Sequence, residues 1–186
     1  MLYLLDTSVL IDAKNKYYPL DRIQQFWNWL VHQARAGNVK LPPQVIGEIL
    51  GPDSSDEEPL DVLAEWVIYN RTTLEWTDEL SLELLTRTYS QGYESVPEDL
   101  TTVDPLSEPA DPFLIAYALE SPENRRVVTM ENLQSVGMTL PKPANRRIPL
   151  VCGLLGVQCI NTFALIRELD FRIPLTPNLG DTIATS

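Results

Sequence analysis

One histidine, His32, and two cysteines, Cys152 and Cys159, are too few for the chemistry those residues usually carry. A structural zinc site wants four Cys or His ligands in paired spacings. Here six residues separate the cysteines and the histidine is far away in sequence. Both are expected as reduced, partly buried thiols, since a chain of 186 residues needs no disulfide to fold. A Ser-His-Asp nucleophile set, a GxxxxGK phosphate loop and a dinucleotide fingerprint are all missing. No apolar run approaches the roughly 18 residues of a membrane span, and the apolar stretch before Asp6 is too short for a signal-peptide core. The chain is therefore expected to be soluble and cytoplasmic, with no membrane partner. Positive charge is scarce as well: 14 basic residues stand against 26 acids, a net charge of −12. At face value that opposes a nucleic-acid partner.

The location of the charge weakens the objection. Gly51 to Asp111 holds 16 of the 26 acids and only Arg71 and Arg87 among basic residues, a balance of −14. The remainder has 10 acids and 12 basic residues, a balance of +2. Setting aside Asp6, Glu48 and Glu131 leaves +5 there. Lys14, Lys16, Arg125, Arg126, Lys142, Arg146 and Arg147 are then candidates to meet phosphate.

What is present begins with MLYLLDTSVLID. Leu2 to Leu5 has the uncharged composition of a strand buried on both faces, ending at Asp6, and Val9 to Ile11 suits the first turn of a helix. Asp21 is placed to cap a helix with apolar positions Ile23, Phe26, Trp27, Leu30, Val31 and Ala34, stopped by Gly37. Val39 to Leu41 reads as a short strand, and QVIGEIL as a short helix with Glu48 away from its apolar face. GPDSSDEEP is an acidic loop. Two helices follow, the second capped by Asp78, and then a long Pro-rich connection from Gly92 to Pro109. In ADPFLIAYALE, Asp111 before Pro112 has the form of an N-cap with proline at the first helical position. Val127 and Val128 read as a buried strand with Glu131 just beyond it. A helical turn, a strand at Val157 to Ile160 and a helix from Thr162 to Leu169 close the pattern. Residues 1–173 read as one domain and residues 174–186 as a disordered tail. Strands alternating with helices indicate a parallel sheet covered on both faces.

Four acids thus stand beside the core: Asp6 and Glu131 after strands, Asp111 at a helix start, Glu48 on a short helix. If they converge, each pair about 5 Å apart repels by roughly 3 kcal/mol at an effective dielectric near 20. Such a cluster must protonate, pair with a base or bind a cation. An all-oxygen set favours Mg²⁺ or Mn²⁺, which keeps waters able to serve as nucleophile.

These residues carry a resemblance. Apolar residues before DTSVLI at Asp6, the acid of QVIGEIL at Glu48, ADPFLIAYA at Asp111 and VVTMEN at Glu131 resemble, in order and spacing over most of the chain, the PIN-domain ribonucleases. The stretches NKYYPLDRIQQFWNWL and RRIPLVCGLLGVQCINTFALIREL resemble an uncharacterised bacterial and archaeal subfamily related to VapC-type toxins. The resemblance implies a three-layer α/β/α, Rossmann-like domain with a mainly parallel sheet. It implies a Mg²⁺- or Mn²⁺-dependent endonuclease acting on single-stranded RNA, an antitoxin as possible partner, and a homodimer built on apolar residues such as Trp66 and Trp76. By carry-over Asp6, Glu48, Asp111 and Glu131 are the metal-binding and catalytic acids, Ser8 orients the site, and Thr129 and Asn161 support it. Many relatives have Asp where this chain has Glu131. Trp27, Trp29, Tyr17 and Tyr18 are candidates for stacking on unpaired bases, although Trp27 also fits the core stripe. Two alternatives stand beside this one. A haloacid-dehalogenase-type phosphatase starts from the same strand-end Asp but wants a second Asp where Ser8 stands. A non-catalytic interaction module would use the acidic segment to dock a basic partner.

Overall fold

The computed structural model describes residues 1–51, 60–97, 100, 109–132 and 140–173. The acidic loop, most of the Pro-rich connection and the C-terminal tail lie outside the described residues. Among the described residues four strands form one parallel sheet: β1 (Leu2–Leu5), β2 (Val39–Lys40), β3 (Arg125–Val128) and β4 (Gln158–Ile160), in the order β2-β1-β3-β4. The register sets Leu5 beside Val128 and Val128 beside Ile160. The ladder runs one residue further, since Asp6 N–H donates to Val128 O at 2.9 Å and Thr129 N–H to Ile160 O at 3.0 Å. Asp6 and Thr129 are therefore held by backbone at the same edge of the sheet.

The chain leaves β1 toward β2 on one side, while β3 pairs with β1 on the other. That reversal opens a crevice beyond the carboxyl ends of the two strands, the place where open α/β sheets bind ligands. Among the described residues eight α-helices surround the sheet: α1 (Thr7–Asp12), α2 (Gln24–Arg35), α3 (Pro43–Leu50), α4 (Val62–Leu74), α5 (Leu82–Arg87), α6 (Ala110–Leu119), α7 (Ile148–Leu155) and α8 (Thr162–Glu168). Side-chain alternation along β1 divides them into two layers. Tyr3 and Leu5 pack with α1, α2, α4 and Leu165 of α8, whereas Leu4 packs with α5, α6 and α7. The expected three-layer α/β/α arrangement is thus observed. Among the described residues no helix is long and apolar enough to cross a membrane.

Several boundaries differ from the sequence expectation for local reasons. Arg22 and Ile23 both donate to Pro19 O, so a turn consumes the residues around Asp21 and Ile23 takes the N-cap position of α2. Ser81, not Asp78, caps α5, its Oγ accepting from Leu84 N–H. Leu41 leaves β2 to pair with Glu75, through bonds to Leu74 O and Trp76 N–H of 2.8 Å each. Val157 closes α7 by donating to Cys152 O at 2.9 Å instead of opening β4.

A π-helical turn at Thr88–Tyr93 continues α5 and lies against α7. Gly92 makes that approach: a Cβ built there would sit 2.5 Å from Val151 Cγ1. Arg146, only 7% exposed, reinforces the same place by donating to Gly92 O at 2.6 Å and pairing with Glu94.

Candidate active site

Asp6 has the extended backbone of an N-cap residue at α1, yet its side chain does not cap. Asp6 as a whole is 5% exposed, and its Oδ2 accepts from Ser8 Oγ and, at 2.7 Å, from Thr129 Oγ1. Those hydroxyls are themselves held from β3, because Met130 N–H donates to Ser8 Oγ at 3.0 Å and Glu131 N–H to Thr129 Oγ1 at 3.1 Å. The network stitches the ends of β1 and β3 around one carboxylate oxygen and leaves Oδ1 outside those bonds. The supporting roles expected for Ser8 and Thr129 thus have a geometric counterpart.

Glu48 and Glu131 each satisfy the first N–H of a helix that comes from elsewhere in the chain. Glu48 Oε1 accepts from Ala110 N–H at 2.8 Å while its Oε2 accepts from Thr7 Oγ1, so one side chain joins α1, α3 and α6. Glu131 Oε2 accepts from Ile148 N–H, 2.8 Å away, at the start of α7. Helix N-termini favour anions, which offsets part of the cost of gathering these charges.

Asp111 is not the N-cap that its sequence setting suggested. Pro109 occupies that position and Asp111 falls in the first turn of α6, because the Glu48 carboxylate already satisfies Ala110 N–H. Every other residue of α6 is buried and uncharged, so this helix brings one charge to the site. Burial pushes the Asp111 carboxyl up to about 7, and the negative charges of Asp6, Glu131 and Glu48 add to the rise. Burial also raises Asp6, against the pull of Ser8 and Thr129 and with a further push from Glu48. Glu131 is raised by burial and by Asp6, while Ile148 N–H and Arg147 oppose the shift. Asp6, Glu48 and Glu131 therefore all lie within electrostatic reach of Asp111 at the switch-point crevice.

The donor set suits a hard divalent cation: four carboxylates and two hydroxyls, with Arg147 acting on Glu131. Among the described residues no three acid, His or Cys side chains stand together at chelating distance. Mg²⁺ commonly takes one or two carboxylates and completes its shell with water, so the set fits a hydrated ion.

Beside the cluster, past β3 and β4, lies an open cleft of about 570 Å³ whose wall includes Thr129, Glu131, Asn132, Asn161 and Arg167. Asn161 is placed here as the N-cap of α8, its Oδ1 accepting from Ala164 N–H at 2.9 Å, rather than among the acids. Tyr93 stands within reach of Asp111 and Glu131, its buried hydroxyl without a partner among the described residues. Burial and the Asp111 charge both push that hydroxyl up. Thr7, Tyr93 and Arg167 were not singled out from sequence; only Thr7, adjacent to Asp6, carried any local signal.

Residues 3–173 match the family described as a domain of unknown function, DUF4411. The chain belongs to the DUF4411 family. The match spans all four acids and the cleft. No curated protein and no solved structure matches the chain.

Most of the basic residues expected to meet phosphate in this DUF4411 protein are engaged elsewhere. Lys14 pairs with Asp61 and Lys16 with Asp12. Arg125 pairs with Glu120 and Arg126 with Glu168, both at the start of β3, the sheet edge opposite Asp6. Arg146 is buried in its contacts with Gly92 and Glu94. Of the aromatic candidates the core claims Trp27, while Tyr17 stays 39% exposed. Trp27 is a core residue whose indole N–H donates to Tyr18 O at 2.7 Å, and Tyr18 stacks on Phe26. Trp29 packs on Phe26 and Phe171, and Tyr17 meets Phe163 edge-on. Trp66 packs against Trp27, and the Arg125 guanidinium lies over the Trp76 ring, with both tryptophans half-buried. Cys152 and Cys159 are free thiols, and their mutual hydrogen bond, with burial, pushes the Cys152 thiol up.

Proposed function

We propose that this DUF4411 protein is a divalent-cation-dependent phosphodiesterase that cleaves single-stranded RNA. The observation behind the proposal is the convergence of four carboxylates, three with raised pKa, at the carboxyl ends of β1 and β3. A bound cation relieves the repulsion among them while leaving the carboxylates ionised.

Asp6 and Asp111 would hold the ion, with Glu131 and Glu48 at its margin; when bound, Mg²⁺ or Mn²⁺ supplies activation of water and stabilisation of charge at the phosphodiester. Ser8 and Thr129 fix the orientation of Asp6 through Oδ2. Glu48 holds α1 and α6 together, which sets Asp111 against Asp6. The overall reaction adds water across one P–O bond: the water oxygen bonds to phosphorus, its proton passes to solvent or to a carboxylate, and the departing ribose oxygen takes up a proton. No histidine or lysine is needed as base.

The test is incubation of the protein with labelled single-stranded RNA in Mn²⁺, in Mg²⁺ and in EDTA, beside a small phosphate monoester. RNA cleavage lost in EDTA and in Asp6→Asn is the expected result. Hydrolysis of the monoester alone would favour a phosphatase, and no hydrolysis of either would favour an interaction module.

A further inference from the structure

We propose that the cleft beside the acid cluster is a nucleotide subsite, in which Arg167 binds the phosphate flanking the scissile one and Asn132 and Asn161 face the base. The inference rests on the RNA-cleaving function proposed above and deepens it. Three observations lead to it. The cleft shares Thr129 and Glu131 with the acid network, so it adjoins the acids directly. Its volume, about 570 Å³, lies within the range of pockets that enclose a small ligand. Its wall also has the mixed character a nucleotide requires: Pro149, Ile160 and Ala164 supply an apolar face, and Asn132 and Asn161 supply amides. Asn161 spends Oδ1 on the α8 N-cap, which leaves its NH₂ outside that bond as a donor.

Charge singles out Arg167. It is exposed at the cleft wall, and among the described residues it takes part in no ion pair. Beside an acid cluster in a chain of net charge −12, a phosphate needs a nearby cation fixed in the protein. A guanidinium matches phosphate oxygens in a two-pronged geometry that lysine does not reproduce.

The experiment is fluorescence anisotropy of a labelled, mixed-sequence 12-nucleotide single-stranded RNA in EDTA at several salt concentrations. The proteins are wild type, Arg167→Ala, Arg167→Lys and Arg22→Ala, the last an exposed arginine outside the cleft. Arg167→Ala is expected to weaken binding about 5- to 10-fold and to reduce the salt slope by about 0.7, the contribution of one phosphate contact on a single strand. Arg167→Lys restores the slope, and Arg22→Ala changes neither quantity. Equal affinity and slope in wild type and Arg167→Ala, an equal loss in Arg22→Ala, or no binding by wild type overturns the subsite. Cleavage in Mn²⁺ separates the two proposals. A wild type that binds through Arg167 yet cleaves nothing removes the hydrolase and keeps the subsite. Cleavage whose KM and kcat are indifferent to Arg167→Ala removes the subsite and keeps the hydrolase.

Discussion

Replacing Asp111 by Asn deletes one charge from the acid cluster while preserving side-chain shape, and its effect on stability depends on pH with a definite sign. In the folded protein the Asp111 carboxyl is raised from 3.8 to about 7. A group raised on folding binds protons more tightly in the native state, so wild-type stability falls as pH rises between those two values and levels off above the higher one. About 3 pKa units at 1.36 kcal/mol each set a ceiling near 4 kcal/mol. Asp111 retains some solvent contact, which halves this to roughly 2 kcal/mol. Loss of an acid from the first turn of α6 works the other way by about 0.5 kcal/mol. The Asn variant should therefore be no more stable than wild type at pH 4 and about 1–2 kcal/mol more stable at pH 8, a rise in Tm of roughly 3–6 °C for a chain of this size. Thermal melts in EDTA across that pH range measure it. Addition of Mn²⁺ should raise the wild-type Tm more than that of the variant. A difference between the two proteins that does not change with pH would refute the repulsion, and equal stabilisation of both by Mn²⁺ would refute Asp111 as a ligand.

Other substitutions probe the supports. Ser8→Ala combined with Thr129→Val removes both hydroxyl donors to Asp6, and should cost about 1–3 kcal/mol and lower Mn²⁺ affinity about 10- to 100-fold, as read by denaturation and titration. Gly92→Ala forces Val151 away from the π-helical turn and should lower stability by about 1–3 kcal/mol in a urea melt. Tyr93→Phe, by removing a buried hydroxyl without a described partner, should leave stability within about 1 kcal/mol, and a larger loss would show that the hydroxyl has a partner in the folded protein.

The acids were legible in the sequence because each interrupts or borders an apolar segment: a buried strand ending at Asp6, an uncharged helix beginning around Asp111. Alternation of strands with helices likewise conveyed the layered fold. Their bonding was not legible. Glu48 reaches the first N–H of α6 across 62 positions, and Glu131 reaches α7 across 17, contacts made by tertiary packing and by no local propensity. The same holds for Asp111, whose expected capping role is displaced by that Glu48 contact. The basic residues were misjudged for a topological reason. Parallel strands send every carboxyl end to one edge, which places Arg125 and Arg126, at the start of β3, on the edge away from Asp6. Arg167 lacked any sequence signal, since its position on the cleft depends on how α8 packs beside β4.

Calorimetric titration of Mn²⁺ into the protein at pH 7, in two buffers of different ionisation enthalpy, tests directly whether the acids take up a divalent cation together. The prediction is saturable binding accompanied by proton release, to which Asp111 contributes as the ion replaces its proton, with binding abolished in Asp6→Asn and weakened at least tenfold in Asp111→Asn. Saturable binding that survives both substitutions unchanged, or no binding to the wild type, would contradict it.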